Sequence, residues 1–166
     1  QPQPHDVLLR SLESARANLG QAIAAARERC PSVSFADADI FHKGLDWALR
    51  YPPTGGTWSN DEASVLMAAA ARGAERAAAL ETAGGEPAPW VGAAGKLALG
   101  YISAVDGSCQ PYGLMVPEGL DASRPVRLDV VLHGSQQPLG MRELLHIVRF
   151  DAGDPRSTAR PCTTPT

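Results

Sequence analysis

At 166 residues, 44% hydrophobic and 20% charged, the chain is long enough for a real core, in one domain or two small ones. Its net charge of -3 leaves no basic footprint for nucleic acid, and no apolar run approaches the ~18 residues that a membrane span requires. Three cysteines, Cys30, Cys109 and Cys162, match no metal spacing, so neither a metal nor another cofactor is expected.

The chain opens on Gln-Pro-Gln-Pro, without Met or an apolar core, which reads as the mature end left by a removed signal peptide and points to a secreted or periplasmic protein. In such a compartment one disulfide can form among the three cysteines. Sequence does not choose the pair, and Cys109, inside an apolar run, reads as a small buried hydrophobe.

A first helix is expected from Val7 to Arg29, with Asp6 as N-cap and Cys30-Pro31 as the stop. Leu8, Leu12, Ala15, Leu19, Ala22 and Ala26 recur at steps of four and three, one seam for a partner helix. A second helix starts at Asp37 or Asp39, either of which can cap it, and ends at Tyr51 before Pro52-Pro53. Ile40, Phe41, Gly44, Leu45, Ala48 and Leu49 face a core. Asp39 with Lys43 and Asp46 with Arg50 mark the wet side, where His42 reads as a solvated helix histidine. After the loop PPTGGTWSN, Ser59 and Glu62 form a capping box for an Ala-rich third helix, Asp61 to Thr82, closed by Gly84-Gly85. Leu66, Ala69, Gly73, Ala77 and Leu80 give it a face of mostly small residues for close packing. The linker EPAPW then holds Trp90 between two prolines, as a plug between domains or as a ligand-stacking aromatic.

Two apolar-alternating runs, Leu97 to Val105 and Ser108 to Val116, flank Asp106-Gly107, the signal for a tight hairpin whose two central residues need positive φ. That turn pairs Tyr101 with Tyr112, Leu99 with Leu114 and Leu97 with Val116 on a face expected to be buried. It sets Gly100 against Gly113 on a thin face open to close approach, with Pro111 marking an edge strand. A third strand is expected from Val126 to Leu132, where Leu128, Val130, Val131 and Leu132 make the nearly continuous apolar run of a strand covered on both faces.

The phrase GYISAVDGSCQPYGLMVP followed by LDVVLHGS resembles the start of the catalytic domain in the α/β-hydrolase superfamily, in its secreted, prolyl-oligopeptidase-like and esterase-like branch. ADIFHKGLDWALRYP with ERAAALETAGGEPAPW is similar to the helical prelude of exported members, so the resemblance runs from about Asp37 to Gly134. It implies an α/β fragment: three helices over residues 1–90, then over 91–150 the hairpin and first central strand of a hydrolase sheet, and a disordered tail over 151–166. It also implies that His133, Gly134 and Ser135 form the oxyanion loop, the Ser135 N–H being the donor, for a small ester or peptide substrate.

Departures from that family are equally plain. A hydrolase of this fold places its nucleophile in G-x-S-x-G, followed by the acid and then the histidine. Ser59, Ser108, Ser135 and Ser157 all lack that setting, His133 precedes any nucleophile, and His146 falls in a helix expected from Met141 to Val148. The sequence therefore reads as the front of a serine hydrolase that stops before its catalytic serine and is inactive alone. The alternative is a noncatalytic module binding a partner through the hairpin edge or Trp90.

Overall fold

Three helices account for most of the core in the computed structural model, which describes residues 4–53, 55–121, 123–132, 148 and 150. They are α1 (Pro4–Arg29), α2 (Ala36–Arg50) and α3 (Asn60–Ala83), followed by strands β1 (Gly95–Ile102) and β2 (Cys109–Val116) in one antiparallel sheet. The described chain is thus a mixed α/β structure.

The helices run up, down and up. Arg16 pairs with Asp46 at 2.9 Å and Arg27 with Asp39 at 2.7 Å, contacts that descend α2 as they climb α1. Arg29 and Glu81 join the last turns of α1 and α3, which are therefore parallel. On α1 the buried residues are Leu12, Leu19, Ile23 and Ala26, so the seam shifts by one at Ile23 and leaves Ala22 exposed. A helix turns 3.6 residues per turn, so a seven-residue stripe drifts, and the larger Ile23 takes the inner position. Leu66, Ala69, Gly73, Ala77 and Leu80 of α3 are all buried, as their spacing predicts.

Gly73 marks the point where the three helices meet. A Cβ built there would lie 2.8 Å from Leu19 Cδ2 and 3.0 Å from Phe41 Cβ. Gly73→Ala gains helix propensity but overfills this crossing, an effect of about 1–3 kcal/mol. The net expectation is a loss of about 1–2 kcal/mol of stability, read as a lower urea midpoint by circular dichroism. A midpoint at or above that of the parent chain would show that the crossing has slack.

Helix ends follow local chemistry with two exceptions. Ser59 caps α3 in a complete capping box, its hydroxyl accepting from the Glu62 N–H while the Glu62 carboxylate accepts from the Ser59 N–H, and Gly84 ends the helix at φ +60°. Helix α1 begins at Pro4, which puts Asp6 in its first turn rather than at the cap. Helix α2 begins at Ala36, after Phe35, with no side-chain cap. Neither Asp37 nor Asp39 caps it: Asp39 turns to Arg27, and the Asp37 carboxylate reaches across to other elements.

The hairpin forms with a register displaced by two. Leu99 stands opposite Tyr112, Leu97 opposite Leu114, Gly100 opposite Pro111 and Ala98 opposite Gly113. Asp106-Gly107 is not a two-residue turn, because only Gly107 takes positive φ, at +70°. The loop is closed instead by bonds from Ser103 N–H to Ser108 C=O and from Gly107 N–H to Ser103 C=O, while the Asp106 carboxylate accepts from the Ser108 N–H and hydroxyl. Aspartate satisfied by its own chain two residues on has no need of left-handed backbone. A shift of two keeps every side chain on its face. Tyr101 and Tyr112 remain neighbours diagonally, with ring centroids 6.1 Å apart.

Burial is shared between the two faces. On the face expected to be buried Leu99 is buried and Leu97, Leu114 and Val116 are half-buried, but Tyr101 and Tyr112 are about half exposed, at 50% and 44%; on the other face Ala98 is buried and Gly100 presses on α2. The thin face is the one that docks because only glycine and alanine let a strand approach a helix backbone so closely.

The segment expected as a third strand, Val126 to Leu132, is assigned no strand among the described residues. Its apolar side chains are exposed, Leu128 at 76% and Leu132 at 90%. The pattern of a doubly covered strand is there, and what would cover it is not among the described residues. Of the helix expected from Met141 to Val148, residues 141–147 lie outside the described residues, and Val148 is helical. Phe150, also helical, lays its ring against Gly113, with the Lys96 ammonium 5.7 Å from the ring centroid.

Candidate functional site

The junction between helices and hairpin is the most elaborate polar arrangement among the described residues, and Asp37 is at its centre. Its Oδ2 accepts from Trp90 Nε1–H at 2.8 Å and its Oδ1 from the Gly100 N–H at 2.7 Å. In an antiparallel ladder alternate amides point away from the partner strand. Ser103 donates to Ser108, so the outward amides of β1 are the even-numbered ones, including Gly100. Asp37 thus satisfies a donor on the edge of β1 that β2 does not reach. By the same alternation Pro111, opposite Gly100, lacks its N–H on the outer edge of β2, where no ladder bond is lost.

Trp90 is fixed from two sides. While Asp37 holds its N–H, its ring stacks on the Arg76 guanidinium, 4.4 Å from the centroid, and Arg76 also lies over Phe41 at 5.8 Å. Arg76 is only 1% exposed. A guanidinium sandwiched between aromatic faces keeps favourable contacts out of water, which suits arginine and not lysine. Trp90 is therefore a packed part of this junction rather than an open stacking platform. Sequence reading did not single out Arg76, although it stands three residues after Gly73 and four before Leu80, on the buried stripe of α3.

Beside this junction Cys109 faces the start of α2. Its thiol donates to the Ala36 carbonyl at 3.5 Å, and Lys43 donates to the Cys109 carbonyl at 2.6 Å rather than pairing with Asp39. Burial pushes the Cys109 thiol up to about 11, with the Asp39 carboxylate adding to the effect. Cys30 and Cys109 are both free thiols, and Cys109 is half-buried, close to the small hydrophobe expected. At pH 8 a thiol titrating near 11 carries roughly 100-fold less thiolate than one at 9.0, and thiolate is the reactive form. Iodoacetamide at pH 8, followed by peptide mapping, should label Cys109 at least tenfold more slowly than in the urea-unfolded chain. Equal rates would show that the thiol is not held as described. The folded thiol keeps its proton more tightly than the unfolded one, so this contribution to stability is present below pH 9 and is lost as pH rises through about 11.

The other reactive side chains are occupied structurally. His42 is half-buried against α1, where a Cβ on Gly20 would come 2.8 Å from its Nε2, and is not the solvated histidine expected. Asp46, one turn away, accepts from Arg16 and Arg50. The Ser59 and Ser108 hydroxyls donate to the carboxylates of Glu62 and Asp106. Burial raises the Asp39 carboxyl, and Arg27 draws it back. Among the described residues no group of three or more His, Cys, Asp or Glu could hold a metal ion, and no helix is long and apolar enough to cross a membrane.

His133, Gly134 and Ser135 lie outside the described residues, as do Ser157, Cys162 and His146. The structure brings together Asp37, Arg76, Trp90 and Gly100, a junction that fixes geometry and holds no nucleophile. No protein-family model matches the chain, and neither does any curated protein or solved structure.

Proposed function

We propose that the chain carries the helical prelude and opening sheet of a secreted serine hydrolase acting on esters or peptides. In this reading it contributes scaffold and the oxyanion loop His133-Gly134-Ser135, and the catalytic serine lies beyond it. The observation that supports the reading is the segment 126–132, an apolar run whose Val126, Leu128, Val130, Val131 and Leu132 side chains are exposed. Such a segment gains most by entering a larger sheet, where its side chains would be covered on both faces. With no nucleophile, a donor at Ser135 has no acyl transfer to accelerate.

The second reading, a noncatalytic binding module, draws on the half-exposed pair Tyr101 and Tyr112. It loses Trp90 as a ligand platform, because that ring is stacked on Arg76 and its N–H is taken by Asp37.

Gene context and labelling together separate the two. Sequencing downstream of the Thr166 codon should show, in some frame, a G-x-S-x-G motif. A fluorophosphonate probe should leave the 166-residue chain unlabelled, because none of its serines stands in the G-x-S-x-G setting that activates the nucleophile of this fold. A stop followed by an unrelated gene would contradict the hydrolase reading. Stoichiometric labelling would overturn the placement of the nucleophile outside this chain.

A further inference from the structure

We draw no further inference here: the strongest candidate, the half-exposed pair Tyr101 and Tyr112 on the face of the hairpin turned away from α2, is an unpartnered apolar surface patch, and nothing in the structure shows what covers it.

Discussion

Adding one methyl group at Gly100 is expected to destabilise the protein by about 3 kcal/mol or more, at the upper end of what overpacking does. A Cβ there falls within van der Waals contact of the Ala36 carbonyl oxygen, 2.6 Å from its carbon and 2.8 Å from Ile40 Cγ2. Two of those atoms are backbone in the first turn of α2, so no rotamer change relieves the clash and strand and helix must separate. Separation also pulls the Gly100 N–H from Asp37 and exposes Ala98, which belongs to the same buried cluster as the helices. In urea unfolding, Gly100→Ala should lower the midpoint strongly. Gly113→Ala, whose Cβ would have the ring of Phe150 as its nearest neighbour at 2.9 Å, should do much less, because a side chain can move. Equal effects at the two glycines would mean that β1 is not seated on α2.

Asp37→Ala is the second large expectation. One carboxylate serves two donors, the Trp90 indole and the Gly100 amide, and hydrogen bonds to a charged group contribute about 1.5–3 kcal/mol each. Losing both should reduce stability by about 3–5 kcal/mol, because the donors are left without their acceptor in a partly buried junction. Trp90→Phe removes one donor and keeps the ring on Arg76, so it should lose less. The double variant Asp37→Ala/Trp90→Phe should lose less than the sum of the singles, by about 1–2 kcal/mol of coupling. Additive effects would show that the indole and the carboxylate act independently.

The parts legible in the sequence were those decided by neighbours a few residues away. The Ser59 and Glu62 capping box, the Gly84 stop and the small-residue face of α3 follow from spacing within single turns, and they form as read. What spacing could not supply was a partner across the chain. Asp37 looks like an N-cap because aspartate before an apolar run usually is one, and only the fold brings Trp90 and Gly100 within its reach. The hairpin was read one turn type too tight because Asp106-Gly107 fits a two-residue turn, while Asp106 spends its carboxylate on Ser108 and widens the loop. Its buried face was read only in part. Leu99 is buried as expected, while Tyr101 and Tyr112 are half exposed and close approach to α2 required the small residues of the other face, Ala98 and Gly100. Trp58, in a Gly- and Pro-rich loop, gave no periodic signal and yet is buried in the core. The run at 126–132 was read as a strand covered on both faces, but no strand is assigned to it among the described residues and its apolar side chains are exposed. The site residues His133, Gly134 and Ser135 follow it outside the described residues.

The central claim is that the helices and hairpin form one body joined at Asp37 and Gly100. Residue-resolved amide hydrogen exchange on the purified chain tests it most directly. Leu97, Leu99, Tyr112 and Leu114 should exchange slowly through the ladder, and Gly100 slowly through Asp37. A Gly100 amide that exchanges at nearly the unprotected rate while Leu97 and Leu99 stay slow would contradict it.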